Sequence, residues 1–339
     1  MKKVLWGMLL LFLVACSNND ENADQNQSEQ EKEPVTEEEQ DKTESEQEQY
    51  HEPITVEDFP NAFLEGNFEA IYNQMSEEFK NMVTFDQFKV LGIDFNQNVQ
   101  GFKLISEMPY QNVTEYQWLS DQGDKGIRGH FSDDLTIHGL QLMLISSHPE
   151  TDKEYTQNTY QMPFKGEWFT FWGGTNELVN YHYALENQRY AYDLMIVKDG
   201  YSFDGDPTDN ESYFVYGKDV IAPNGGVVVS VENGIEDNTP TVDTNAENPL
   251  GNHVIIEHDH NEYSVIAHLR PGSLEVTEGD VVETGDLLGQ VGNSGNSSEP
   301  HIHFHAADGP NWAEATSIRI KFEGDKNPVR GDSVIGFEE

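Results

Sequence analysis

Three histidines at alternate positions, His301, His303 and His305, are the side chains of this chain that most directly suggest chemistry. Alternate side chains of a β-strand point to the same face, so three imidazoles would line one wall. One imidazole can bind a metal through a ring nitrogen while its neighbour transfers protons beside it. The spacing therefore predicts a strand that carries a metal ligand and a proton-transfer group. The alternative is a polar strand edge with incidental histidines.

The region that must position these histidines has an all-β pattern. Short apolar runs separated by Gly, Asn and Asp turns are typical of antiparallel strands. We predict strands over 190–197, 219–222, 226–231, 252–258, 263–269, 281–282, 287–291 and 301–305. Two long polar insertions, 203–216 and 234–250, are expected to form loops over the sheet.

The preceding region has a different pattern. Thr55 to Asp58 and Thr84 to Gln87 have the spacing of capping boxes, and apolar residues at helical steps predict a helix over 59–75 after the first box. Strand-like runs follow over 102–108, 114–119, 135–146 and 155–171. We therefore predict a small α+β domain at 54–175. It resembles the cone-shaped nuclear-transport-factor-like domains of secreted bacterial enzymes.

Composition excludes one class of function. The 339 residues include 62 acidic residues and only 19 Lys or Arg, which gives a formal net charge of −43. A chain with this charge is not expected to bind nucleic acid through a basic face. The length is sufficient for about two domains with cores of their own. The expected fold class is thus multidomain, with the small α+β domain followed by a mostly antiparallel β domain at 176–339.

The start of the chain predicts export and a lipid anchor. Two lysines precede a short apolar run that ends in Leu-Val-Ala-Cys at Cys16, the only cysteine, so no intrachain disulfide is possible. The run is too short for a stable membrane span and is typical of a signal segment, 1–16. Its ending resembles a bacterial lipobox, in which the cysteine is diacylated, although an ordinary signal peptide is the alternative. Residues 17–53 are acidic and polar, which predicts a disordered tether.

Four local patterns together resemble one enzyme family. They are Tyr190-Ala-Tyr-Asp193, the run from Val220 to Val228, Tyr263-Ser-Val-Ile-Ala-His268-Leu, and the run from Val276 to Gly292 followed by Pro300-His-Ile-His303. Their order and spacing are similar to those of the lysostaphin-type (LytM-like) zinc endopeptidases of peptidoglycan. The resemblance covers residues 180–306 approximately. It implies a LytM-type β domain.

The resemblance implies a role for each matching residue. Asp193 and His303 would be zinc ligands, and His268 and His301 would be the catalytic histidines. We assign His301 as the general base and His268 as the oxyanion stabiliser, although these two roles are exchangeable. The histidines at 253, 258 and 260 are interpreted as structural.

One position departs from the family pattern. The first zinc ligand is expected four residues before the aspartate, and Arg189 stands there. A guanidinium stays protonated and cannot ligate a metal. His182, eleven residues before Asp193, is the first candidate for the missing ligand, and His305 is the second. The remaining alternative is a domain that has lost zinc and catalysis.

The sequence therefore predicts a lipid-anchored extracytoplasmic zinc endopeptidase that cleaves peptidoglycan in a stem peptide or cross-bridge. Its expected partners are the peptidoglycan substrate and, through Cys16, the membrane. The alternative is a catalytically degenerate scaffold that binds or activates a cell-wall hydrolase or a divisome-type protein. A solute-binding lipoprotein would share the anchor but would not explain the histidines.

Overall fold

The computed structural model describes residues 52–338 of the chain. The predicted signal segment with Cys16, and the predicted tether up to residue 51, lie outside the described residues and stay predictions. Between residues 52 and 338, no helix is both long enough and apolar enough to cross a membrane.

Four α-helices open the described part of the chain: α1 (Phe59–Glu65), α2 (Phe68–Asn73), α3 (Glu77–Lys80) and α4 (Phe85–Phe95). The capping box predicted before α4 is present, since Thr84 Oγ1 accepts the Gln87 N–H and the Gln87 side chain accepts the Thr84 N–H. The single helix predicted over 59–75 is divided into α1 and α2. Gly66 ends α1 because it adopts a left-handed conformation with φ of 84°.

Buried aromatic side chains join these helices to a four-stranded antiparallel sheet, here called the small sheet. Its strands, in spatial order, are β1 (Phe102–Tyr110), β2 (Val113–Ser120), β3 (Lys125–Phe131) and β4 (Ile137–Leu144). Phe59 of α1 packs against Trp118 and Phe131, with ring centroids 5.1 and 5.4 Å away. Helices followed by antiparallel strands were expected here. The likeness to nuclear-transport-factor-like domains stays a prediction.

The remaining strands are, in chain order, β5 (Glu167–Trp172), β6 (Tyr192–Met195), β7 (Asp219–Ile221), β8 (Gly226–Glu232), β9 (Asn252–Glu257), β10 (Tyr263–Leu269), β11 (Val281–Val282), β12 (Leu287–Gln290), β13 (Ile302–Ala307), β14 (Ser317–Ile318) and β15 (Ser333–Ile335). Nine of them form the large sheet, in the order β11-β8-β9-β10-β13-β6-β5-β15 with β14 paired to β13. Strands β7 and β12 pair separately. All these pairs are antiparallel, which confirms the mostly antiparallel β architecture.

Strand β5 lies in the large sheet, whereas the sequence assigned residues 155–171 to the sheet of the N-terminal region. It pairs with β6 on one side and with β15, near the end of the chain, on the other. Trp168 of β5 stacks on Phe164 at 4.4 Å within the core of the large sheet. That strand assignment was wrong, because apolar content identifies a strand but not the sheet that it joins.

The register of the large sheet brings the predicted site residues together. Asp193 of β6 lies directly opposite His303 of β13, and Ala267 of β10 lies opposite the same histidine from the other side. Residues directly opposite on antiparallel strands have Cβ atoms about 4.5–5.5 Å apart. Strands β6, β13 and β10 therefore place Asp193, His303 and His268, the residue after Ala267, within one small region.

A buried ionic cluster joins the small sheet to the C-terminal segment. The Glu115 carboxylate of β2 accepts a hydrogen bond from Arg330 Nε at 2.7 Å, and Arg128 Nε lies 3.6 Å away. Burial alone raises the pKa of Glu115, but Arg330, His130 and Arg128 hold that pKa well below its ordinary value. Removing one member of such a cluster leaves buried charge without a partner.

We predict that Glu115→Gln lowers the free energy of unfolding by about 3–5 kcal/mol, because two buried guanidinium groups lose their counter-charge. Urea unfolding measures the change. The matched control is Glu77→Gln, which removes an exposed ion pair with Lys80 and should change stability by at most about 1 kcal/mol. Equally small effects of both substitutions would contradict a stabilising role for the buried ionic cluster.

The contribution of Glu115 to the free energy of unfolding depends on pH. Because the folded pKa of Glu115 is depressed, its contribution is fully present above the unfolded pKa of about 4.3 and is lost as pH falls towards the folded pKa. The stability difference between the parent and Glu115→Gln should therefore be constant near neutral pH and shrink below about pH 4. A difference that grew on acidification would have the wrong sign.

Candidate metal and catalytic centre

Three buried side chains, His182, Asp193 and His303, bring one donor atom each to a single point. Their candidate ligand atoms all lie within 4.8 Å of one another. Asp193 Oδ1 is 3.6 Å from His182 Nε2 and 3.1 Å from His303 Nδ1. Two imidazole nitrogens and one carboxylate oxygen are a donor set that zinc takes in catalytic sites, with a position left open. These are the three residues that the sequence predicted as ligands.

His182 reaches the centre from a one-turn 3₁₀-helix, Tyr181–Ala184, and not from a strand. Asn180 caps this turn: its Oδ1 accepts the His182 backbone N–H and, at 2.9 Å, the His182 Nδ1–H. The Asn180 amide in turn donates to the carbonyls of Gly174, Arg189 and Ala191. Because Nδ1 carries the proton, Nε2 presents its lone pair to the centre.

His182 Nε2 is a buried nitrogen with no hydrogen-bond partner. Buried polar atoms normally have a partner, so an unpaired lone pair aimed at a carboxylate and a second imidazole needs an explanation. Metal-ligating histidines commonly donate their other ring N–H to a fixed acceptor, as His182 does to Asn180. The residues present therefore fit a zinc ion.

Arg189 stands at the family's usual first-ligand position and has a structural role. Its Nε donates to the Tyr183 carbonyl at 3.2 Å, and its guanidinium lies over the Tyr183 ring. The side chain is buried there and contributes no donor atom to the centre. The 3₁₀ turn that carries His182 thus provides the imidazole nitrogen that Arg189 cannot provide.

His305, the second candidate for the missing ligand, lies behind His303. Its Nδ1 is 2.9 Å from His303 Nε2, on the side of the ring away from Asp193. With His303 Nδ1 presented to the centre, His303 Nε2–H donates to His305 Nδ1. His305 is therefore placed to orient His303, and its own Nε2 is a second buried nitrogen without a partner.

The two predicted catalytic histidines are oriented in the same way as each other. His301 Nδ1–H donates to the Glu299 carbonyl and His268 Nδ1–H donates to the Ser294 carbonyl, each at 2.8 Å. In the neutral form of each ring Nε2 therefore carries the lone pair, and His301 Nε2 is 3.6 Å from Asp193 Oδ1. Either ring can accept a proton through Nε2 and donate it later. The geometry leaves the roles of base and oxyanion donor exchangeable.

The backbone at His268 is strained. Its φ of 66° is in the left-handed region, which non-glycine residues rarely adopt. The residue interrupts the pairing of β10 with β9, where the register shifts between Ile266 and Leu269. Strained residues of this kind cluster at functional sites, where the surrounding structure holds them. At His268 the strain accompanies a ring that faces the centre.

Burial favours the neutral form of three imidazoles at the centre. It lowers the pKa of His182 to about 3, and it lowers the pKa values of His268 and His305 well below the ordinary range. Burial raises the pKa of Asp193, but the neighbouring histidines hold that pKa below its usual value. A neutral His182 imidazole and an ionised Asp193 carboxylate are the protonation states that metal binding requires.

Two contributors were missed from the sequence. Asn180 orients His182, and its position two residues before that histidine, at the start of a turn, was the available signal. Tyr181 lies over the His182 ring with centroids 3.9 Å apart. Burial and the nearby Asp193 carboxylate raise the pKa of Tyr181. No sequence pattern pointed to this tyrosine.

The model of peptidase family M23 matches residues 213–313. Residues 213–313 form an M23 peptidase domain. The resemblance to lysostaphin-type enzymes is thereby confirmed. The match includes His268, His301, His303 and His305, whereas His182 and Asp193 precede it.

Solved structures also resemble the chain. The catalytic domain of the antimicrobial peptidase lysostaphin from Staphylococcus simulans is 21% identical, with a TM-score of 0.22, over 35% of this chain and 86% of that one. The deep-sea M23 metalloprotease pseudoalterin is 17% identical, with a TM-score of 0.31, over 52% and 87%. A SpoIIIAH–SpoIIQ complex contains a chain 19% identical, with a TM-score of 0.26, over 49% and 93%. No curated protein matches.

The ligand assignment predicts the metal content of variants. The parent chain should bind about one zinc ion, and His182→Ala should bind far less, since two protein ligands remain where catalytic zinc uses three. His305→Ala should still bind zinc but with about 10–100-fold lower affinity, because it only orients His303. Mass spectrometry and chelator competition measure both. The control is His138→Ala on the small sheet, and full zinc content in His182→Ala would refute the assignment.

Proposed function

We propose that this chain is a zinc metallopeptidase that hydrolyses peptide bonds in peptidoglycan, within a stem peptide or a cross-bridge. The observation that carries the proposal is the convergence of His182 Nε2, Asp193 Oδ1 and His303 Nδ1. Beside this donor set lie two further histidines whose Nδ1 atoms are held by carbonyls and whose Nε2 atoms are free for proton transfer. The M23 domain supports the reaction class.

Two histidines of the chain have separate roles beside the metal site. Zinc, when bound, supplies a Lewis acid that polarises the scissile carbonyl and lowers the pKa of a water molecule. His301, whose Nδ1–H is held by a carbonyl, accepts the proton of the attacking water at Nε2 and delivers it to the leaving amine. His268 Nε2 takes up the second proton of the attacking water as the carbonyl is attacked, and donates it in a hydrogen bond to the oxygen that becomes negative.

We also propose that the protein acts outside the cytoplasm, held to the bacterial membrane by lipid on Cys16. The Leu-Val-Ala-Cys ending supports this, and two acyl chains give stable anchoring where one does not. Labelling with a fatty-acid analogue should mark the parent chain and not Cys16→Ser. Equal labelling of both would exclude the anchor at this residue.

The reaction is tested by incubating the purified chain with peptidoglycan. We expect release of new amino groups, loss of that release on chelation, and recovery when zinc is restored. His301→Ala should retain zinc but lose about 10²–10⁴-fold in rate, because it removes the general base and leaves the three ligands intact. Zinc content measured on the same sample separates this effect from metal loss.

The alternative is a scaffold that binds or activates a cell-wall hydrolase without cutting. It predicts no amine release by a chain that carries zinc, together with specific binding of such a partner. The same incubation separates the two functions. Amine release that was identical in His301→Ala would exclude the mechanism proposed here.

A further inference from the structure

A cavity of about 190 Å³ lies beside the large sheet. None of the candidate metal ligands or catalytic histidines lines it. Its walls come from residues 109–111 at the end of β1, from strands β5 and β6, and from the loop 200–203. A single water molecule takes up roughly 30 Å³ of the liquid, so the space holds more than one. It has room for one side chain or chain end of a bound peptide.

Two groups of aromatic rings line this cavity. Tyr110 and Phe171 lie side by side with ring centroids 6.3 Å apart. Phe203 lies 6.1 Å from the ring of Tyr201 and 5.4 Å from that of Tyr213. The faces of such rings attract cations that approach within about 6 Å of the centroid.

A carboxylate, Glu299, lines the same cavity. It is partly buried, and the Ser202 hydroxyl donates to its Oε2 at 2.7 Å. Among the described residues 52–338, no Lys, Arg or His lies within ion-pair distance of it. Arg330 lies over Phe171 at 4.6 Å, but its guanidinium is paired with Glu115. The cavity thus combines aromatic rings with a carboxyl group that has no basic partner in the described part of the chain.

The cavity adjoins the candidate centre along the sheet. Met195, which lines it, is two residues after Asp193 on β6, so the two side chains share a face about 7 Å apart. Glu299 also connects the two places, since its carbonyl accepts the His301 Nδ1–H. An extended peptide that lies across the centre can therefore place a neighbouring side chain or its chain end in the cavity.

We propose that this cavity is a specificity subsite that binds a primary ammonium group of the peptide substrate. The aromatic rings surround the cation, and the Glu299 carboxylate accepts its hydrogen bonds. The proposal rests on the function proposed above, because the subsite selects among peptides that the centre would cleave. An ammonium group on a side chain and one at a chain end share this chemistry.

Calorimetric titration of the purified full-length chain tests the subsite with three short peptides of one sequence. The first has blocked ends and one free lysine amine, the second has that amine acetylated, and the third has the acetylated lysine and a free N-terminus. We expect the first or third to bind at least about 10-fold more tightly than the second, as for a charge-assisted hydrogen bond. Whichever peptide binds more tightly identifies the source of the ammonium group.

Two variants test whether the preference for a free ammonium group depends on Glu299. Glu299→Gln should abolish the preference, because it removes the charge and keeps both the shape and the carbonyl that holds His301. Glu236→Gln, which removes an exposed charge outside the cavity, should keep it. Equal binding of all three peptides by the parent chain would overturn the proposal, as would a preference that survives in Glu299→Gln.

Cleavage is followed by mass spectrometry in the same samples, so that the two proposals can fail separately. An ammonium preference that depends on Glu299, without cleavage, would support the cavity as a binding site and count against the peptidase. Cleavage of all three peptides without any preference would support the peptidase and overturn the subsite.

Discussion

The buried carboxylate of Asp193 is the constraint on which the centre depends. Its residue is 4% exposed, and a charge taken out of water costs several kcal/mol unless it is compensated. The imidazoles of His182, His268 and His305 are neutral because burial lowers their pKa values. A divalent cation between His182, Asp193 and His303 would compensate the negative charge of this carboxylate. Burial therefore keeps the His182 nitrogen unprotonated for metal binding, and it makes a bound cation beside Asp193 favourable.

The strand-borne half of the centre was predictable because strand geometry is simple. A period of two put His301, His303 and His305 on one strand, and antiparallel register then set Asp193 opposite His303. The large sheet follows from apolar runs and turn residues in the same way. In the helical region, the capping box at Thr84 marked the start of α4. These features depend on residues close in sequence, and such signals are read without knowledge of tertiary contacts.

The other half depends on contacts that no local pattern encodes. From the sequence His182 is only the first of two candidates for the missing ligand, and the fold shows that Asn180 turns its Nε2 towards Asp193. The left-handed conformation of His268 and the position of Tyr181 arise from packing. Strand β5 was assigned to the wrong sheet because its partners, β6 and β15, lie far apart in the sequence. The aromatic cavity likewise joins segments that lie far apart in the sequence, so no local pattern indicated it.

X-ray absorption at the zinc edge, on the purified chain given one equivalent of zinc, tests the central claim most directly. The structure predicts a shell with two imidazole nitrogens and one carboxylate oxygen from the protein, at about 2.0–2.2 Å. One imidazole should disappear from that shell in His182→Ala, if any zinc is retained, and none should disappear in His305→Ala. A chain that binds no zinc, or a zinc shell unchanged by His182→Ala, would contradict the account.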